Sequence, residues 1–426
     1  MTESYDVVVV GGTLAGMAAA ARLAKNRHTV LLVNPGRHLG GRLSPYELIS
    51  DDSDVVTVDA MPGMITFPAP WRDLFRKSGR AFADETSRAG VSLVPAPAAR
   101  HVFDDDSELV MPTDRGVQHT VLSRAYGVAA ADRWRDLVDH LDDQWQTLRP
   151  LGREAELAGR QQFEAARREL DPKRTVADLA ASIDEPHLAA MINNSAWLLG
   201  SDPRHAPGWC AVHLSAERRF GRWMMADAER PVRTSTLIDL LAERLGQRRV
   251  QVLPDTDVSK INIVDGRIAG VVAGAAEIAT PAVVWASEPR GAYDLLGRGG
   301  GAERRALGRT RPAVAPAVSH RLIAKSIEEA TETVRHTAGG PIITWTRPLP
   351  DGRTLESIHD WPAGAPDPAA GIAWRGARTT LRRPPIRSSV DGMYLAGPWS
   401  RGGADLSHTV LSGALASYAV HDQLAD

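Results

Sequence analysis

The run Asp6 to Leu43, DVVVVGGTLAGMAAAARLAKNRHTVLLVNPGRHLGGRL, constrains the fold more than any other stretch. Val7 to Val10 is an unbroken β-branched run, the pattern of a strand buried on both faces. Gly11 and Gly12 make a tight turn, and the alanine-rich run Leu14 to Lys25 predicts a helix. Thr29 to Val33 predicts a second buried strand. Two buried strands joined by a helix read as a parallel crossover unit. The turn at its joint points backbone N–H groups outward at a helix N-terminus, which suits a pyrophosphate. In the G-x-G-x-x-G spacing the glycine places fall on Gly11, Thr13 and Gly16, with Gly12, Leu14 and Ala15 between them. Thr13 therefore brings a Cβ where the backbone should come close to phosphate, although its hydroxyl can donate. Asn34 ends the second strand, where an acid would hold ribose hydroxyls; its amide can bond one without the charge.

At 426 residues the chain can bury a large core and predicts two domains. The net charge of −2 gives no electrostatic reason to expect nucleic acid. Cys210 is the one cysteine, which excludes an internal disulfide and a cysteine-rich metal site. Its plainest reading is a small buried hydrophobe. No apolar run approaches membrane-spanning length, and the first residues carry no signal-peptide pattern. The expectation is a cytoplasmic protein.

A second glycine signal, Gly40-Gly41-Arg42, follows the second strand and lets another backbone segment pass near the same phosphates. With it, the chain resembles the superfamily of phytoene desaturase-like and amine oxidase-like FAD-dependent oxidoreductases. The resemblance continues through Val55 to Trp71, where Asp59, Met61, Pro62 and Gly63 take the place of a turn that skirts the flavin. It implies that Val258 lies over the adenine. It also covers Gly392 to Gly397 and the helix predicted over Ser407 to Ala425. In those families such a strand, a glycine-rich loop (here Gly402-Gly403) and a helix carrying Ser412-Gly413 set the flavin against a helix N-terminus. Gly397, Pro398, Trp399, Thr409 and Val410 would line that place. Pro398 stands where an aspartate is usual, so three expected cofactor contacts are altered, at Thr13, Asn34 and Pro398. At about 0.5–1.5 kcal/mol per lost hydrogen bond, and more where a charged group was involved, three losses come to about 2–5 kcal/mol and weaken binding by roughly two to three powers of ten.

The resemblance implies an α/β fold: a Rossmann-like FAD/NAD(P)-binding domain interleaved with a substrate domain of mixed sheet plus helices. The expected division is 1–90, 226–300 and 376–426 for the nucleotide domain, with 91–225 (mostly helical) and 301–375 for the substrate domain. In the middle region, helices are expected over Trp71 to Gly90, Ala129 to Thr147, Arg153 to Leu170, Val176 to Ala181 and Pro186 to Leu199. Trp134, Val138, Leu141 and Trp145 form one helical stripe and read as core. Strands are expected over Ala317 to Ala324 and Pro341 to Trp345. His320, His336 and His359 are candidate bases, each weighed against a satisfied structural histidine, and no metal-ligand spacing links them. Lys325 is the lysine nearest the place where amine oxidases face one toward the flavin. No side chain is assigned a catalytic role.

Three functions remain open on the sequence. The first is an FAD-dependent oxidoreductase that removes a hydride from a small organic molecule, by desaturation or C–N oxidation, with O2 or another acceptor reoxidising the flavin. The second is a redox-inactive homologue, with flavin weak, structural or absent, acting as isomerase, cyclase or binding protein. In the third, Asn34 and Arg37 hold the 2′-phosphate of NADP; Gly40-Gly41-Arg42 and the C-terminal segment count against it.

Overall fold

The computed structural model describes residues 3–49, 55–157, 159–228 and 230–425. Its centre is a five-stranded parallel sheet ordered Gln251–Leu253, Val30–Val33, Val7–Val10, Val283–Trp285, Met393–Leu395. Val8 pairs with Leu31 on one side and Val283 on the other. The three central strands are buried throughout, which is why their sequences run Val-Val-Val-Val and Val-Leu-Leu-Val without alternation. Two strands from the start of the chain thus lie with two from its middle and one from its end.

Helices Leu14–Lys25, Thr236–Gln247 and Leu406–Ala425 share a core with the sheet. The first and last cross at close range because both are built of small residues: a Cβ added to Gly413 would run into the Ala15 carbonyl oxygen. The sheet's other core is shared with a small antiparallel sheet of Val258–Val264, Arg267–Ala273 and Ala276–Ala279.

A second, six-stranded sheet runs Pro312–Ile323, Thr354–Ile372, Ile342–Pro348, Thr331–Arg335, Ala99–Val102, Glu108–Met111. A helical layer with its own core accompanies it, built around Val128–Leu148, whose Trp134, Val138, Leu141 and Trp145 are all buried. The tryptophan stripe is core, as its spacing predicts.

Two local expectations need correction, and one strand is not foreseen in the sequence. The helix expected over Trp71 to Gly90 is two helices, Ala69–Ser78 and Phe82–Arg88, broken at Gly79, whose φ of +134° only glycine adopts without strain. The helix expected over Arg153 to Leu170 is reduced to Arg160–Ala165 and Arg167–Leu170. Before them, Leu151 and Gly152 leave the helical conformation and turn the chain at Arg149–Arg153. Thr354–Ile372 is a long strand that its prolines conceal in the sequence. Pro362, Pro366 and Pro368 are tolerated because the Ile342–Pro348 ladder stops at Asp360, so their missing N–H groups cost no pairing on that side.

Candidate active site

The nucleotide turn is formed. Thr13 caps helix Leu14–Lys25, accepting from Gly16 N–H at 3.4 Å, and donates its hydroxyl to the Ala286 carbonyl at 2.8 Å. Leu14 and Ala15 are fully buried behind it. Gly40 and Gly41 lie directly on the turn: Gly40 N–H donates to Gly12 O at 2.7 Å, and Thr13 pairs with Gly40 in a short parallel bridge. The C-terminal segment joins the same crevice. Strand Met393–Leu395 leads through Ala396 to Gly397, whose N–H donates to Ser412 Oγ at 2.9 Å on the terminal helix. The backbone segments singled out in the sequence therefore do meet, from opposite ends of the chain.

Their polar groups, however, are engaged with one another. Asn34 Oδ1 accepts from Gly12 N–H at 3.0 Å, and its Nδ2 donates to the Gly36 and His38 carbonyls at 2.6 and 3.0 Å. Asn34 is 5% exposed, and Leu39 covers the turn closely enough that a Cβ on Gly12 would lie 2.6 Å from its Cδ2. On the far side Trp399 is buried against Gly397, with its indole N–H donated to Pro368 O at 2.7 Å. Buried Arg383 pins the Pro398 loop through the Pro398 and Ser400 carbonyls, both at 3.1 Å. Thr409 and Val410 are buried in the terminal helix, Met61 is in the core, and Val258 packs partly buried beside the sheet.

Next to this crevice a large cavity of about 310 Å³ opens between the six-stranded sheet and the helical layer. Arg42 and Pro62 reach it from one side and Ala404 to His408 from another, so it adjoins the segments where the resemblance places the flavin ring. Asp59 shapes that wall, accepting from Met61 N–H and Ser235 N–H, each at 2.9 Å. Gly63 is pressed against the Trp345 indole: a Cβ added there would lie 2.5 Å from the ring. Phe67, Trp134, Trp145 and Trp361 supply apolar walls.

The cavity also holds buried polar groups that only the fold assembles. Arg222 donates to Glu332 at 2.5 Å, and Trp345 Nε1 donates to the same carboxylate oxygen at 2.8 Å. His101 Nδ1 lies 2.9 Å from His336 Nε2, and His336 Nδ1 lies 2.7 Å from Asn194 Nδ2. Burial pushes His336 down to about 4 and His359 down to about 3, and it holds His101 well below the ordinary imidazole range. These rings are neutral at physiological pH. At the head of the terminal helix Asp405 pairs with His408 Nδ1 and also accepts from His408 N–H at 2.9 Å.

Among the candidate bases, His336 and His359 line the cavity, whereas His320 is bonded to Tyr46 at 2.8 Å and Ser357 at 2.9 Å outside it. Lys325 is exposed away from it, so the lysine expectation is not met. Cys210 is buried in the cavity wall, its thiol pushed up to about 12 by burial, which suits a packing role. Arg153, Arg222, Glu332, Asp405 and His408 are cavity residues that sequence reasoning missed. The Asp-Leu-Ser-His spacing at a helix start was the available signal for the last two.

FAD can be tested against these residues. The ring end of such a cofactor has room beside Arg42 and Pro62. At the nucleotide end the N–H groups of Gly12 and Gly397 already have protein partners, Asn34 Oδ1 and Ser412 Oγ, so an ADP half would have to compete with them.

Residues 6–105 match the family model described as FAD dependent oxidoreductase. The 4,4'-diapolycopene oxygenase of Methylomonas sp is 24% identical over 335 residues, 75% of this chain and 63% of that protein. The 4,4'-diapophytoene desaturase of Staphylococcus haemolyticus is 30% identical over 112 residues, 25% of this chain and 20% of that protein. The chain thus spans less than two thirds of either curated relative. Among solved structures, wild-type putrescine oxidase bound to putrescine superposes with a TM-score of 0.65 at 15% identity, covering 100% of both chains, which shows a common fold. The chain is therefore related to, and shares the fold of, the superfamily of FAD-dependent oxidoreductases that includes phytoene desaturase-like and amine oxidase-like proteins.

Proposed function

We propose that the protein is a flavin-dependent oxidoreductase that acts on a small organic molecule held in the 310 Å³ cavity, by desaturation or C–N oxidation. The observation that carries this reading is the continuity of that cavity with Arg42, Pro62 and the head of the terminal helix. FAD, when bound, supplies a hydride acceptor. Gly11, Gly12, Thr13, Gly16 and Asn34 would then face its nucleotide, and Gly40, Gly41 and Arg42 its phosphates. The chain's own contribution is to orient the substrate between Trp345, Trp361 and Phe67 and to exclude water. In this reading O2 or another acceptor completes turnover, the compartment is the cytoplasm, and the nucleotide and substrate domains divide as the sequence suggests.

A redox-inactive homologue is the second reading, favoured by one observation: the Gly12 and Gly397 N–H groups are already taken by Asn34 and Ser412. The test is reconstitution. Purified protein titrated with FAD should bind it saturably, read by the change in flavin fluorescence, with a dissociation constant in the micromolar range, about a thousandfold weaker than a nanomolar site. No saturable binding at any concentration would replace the first reading by the second.

A further inference from the structure

The cavity end beneath the terminal helix contains charged groups whose pairing is incomplete. His408 is 4% exposed, and its Nε2 is buried without a hydrogen-bond partner. Its Nδ1 is taken by Asp405, the cap of helix Leu406–Ala425. Burial alone would raise the Asp405 carboxyl, but His408 and Arg153 outweigh it and hold the group at about 2. An ionised carboxylate accepts from Nδ1–H, so whenever the ring carries a single proton it sits on Nδ1 and the lone pair is on Nε2. Arg153 approaches the same indole as His408: its guanidinium is 5.0 Å from the Trp145 ring, and the His408 ring is 5.6 Å from it. Arg153 Nη1 is also buried with no partner. A buried cationic N–H and a buried imidazole nitrogen, both unpaired and both on residues that line one cavity, leave substantial hydrogen-bonding capacity unused.

We propose that Arg153, Asp405 and His408 form a proton-transfer subsite for an enolisable carbonyl compound. The carbonyl oxygen sits against Arg153, and the carbon next to it faces His408. His408 Nε2 takes a proton from that carbon. The C–H bonding pair becomes the C=C bond of the enolate, and the carbonyl π pair moves to oxygen, whose negative charge the guanidinium stabilises. Return of the proton from Nε2–H to carbon restores the neutral ring, so the step needs no oxidant and no flavin. Asp405 is a positioning residue: it orients the ring and stabilises the imidazolium. Because nothing in this step uses the nucleotide crevice, it stands or falls separately from the oxidoreductase reading.

The experiment follows exchange of the α-protons of 1-phenylpropan-2-one in D2O by proton NMR, using the flavin-free protein. The wild type should exchange them above the buffer rate. His408→Gln should reduce the protein-dependent rate at least tenfold, and Arg153→Gln should reduce it as well, with partial recovery in Arg153→Lys. Asp405→Asn keeps a competent helix cap and should also slow exchange, so it carries the test if His408→Gln does not fold. Exchange at the buffer rate with the wild type overturns the proposal, and so does a folded His408→Gln or Asp405→Asn with the wild-type rate. Failure of FAD reconstitution would leave this result unchanged, and the reverse also holds.

Discussion

Thr13 carries two jobs that pull against each other. As a helix cap it accepts from Gly16 N–H, and it ties the turn to the neighbouring strand end through Ala286 O. As the middle residue of the glycine spacing it puts its Cβ and Cγ2 against Gly41, where a phosphate would approach. Thr13→Gly should therefore move two quantities in opposite directions. Stability should fall by about 1 kcal/mol for the lost hydroxyl contacts. FAD affinity should rise about tenfold, the equivalent of about 1.4 kcal/mol. Thermal unfolding and a flavin titration on the same preparation read both. A variant that loses stability without gaining affinity would show that the residue at position 13 is not what limits binding. Asn34 supplies the complementary case: its amide bonds Gly12, Gly36 and His38 at once, a set of partners that an aspartate, having no donor, could not satisfy.

Among the elements, the crossing of helices Leu14–Lys25 and Leu406–Ala425 does most to hold the chain's two ends together. Glycine in a helix interior usually gives way to alanine with a gain of about 0.5–1 kcal/mol. At Gly413 the sign should reverse, because the added Cβ meets the Ala15 carbonyl oxygen and Ala18 Cβ, and overpacking of this kind costs about 1–3 kcal/mol. A lowered unfolding temperature for Gly413→Ala would bear this out; a raised one would mean that the helices slide apart without cost. This contact also marks what is legible in the sequence. Helix Leu14–Lys25 is readable to its observed limits because alanine propensity and a flanking strand are local signals. Strand Thr354–Ile372 is not, since its prolines are acceptable only where one neighbour happens to end. The crevice segments are readable as motifs, but their mutual hydrogen bonds are not, because a motif names positions and not the partners they take. The cavity's charged groups are least readable: positions 101, 153, 222, 332 and 405 meet only after both sheets and the helical layer have packed.

On the scale of the whole molecule, those buried groups set a dependence on acid. His336 and His359 are 3% and 4% exposed. Their folded-state values lie near 4 and 3, lowered first by burial. His336 is further disfavoured as a cation by His187; His359 has His320 and Arg42 acting on it in the same sense. In the unfolded chain both return to an imidazole value near about 6.5. Below that pH the unfolded state binds protons that the folded state refuses, so stability falls as pH drops, by up to about 1.4 kcal/mol per pH unit for each ring. The loss begins just under pH 6.5 and continues until the folded rings themselves protonate, near 4 for His336 and near 3 for His359. Asp405 acts in a lower window. Its carboxylate is held ionised to about 2, so the stabilisation it gives is intact above the ordinary carboxylate range and disappears only as pH falls from there toward 2. The histidine window can be isolated by one substitution. His359 Nε2 has no hydrogen-bond partner, and the ring stands edge-on to Trp345 at 4.8 Å, so His359→Phe keeps the packing and removes the titration. Unfolding temperature followed from pH 8 to pH 4.5 should fall below pH 6.5 in the wild type and fall less steeply in His359→Phe. Identical slopes would mean that water reaches the ring, and that the cavity wall at Trp345 and Trp361 is open where the structure has it closed.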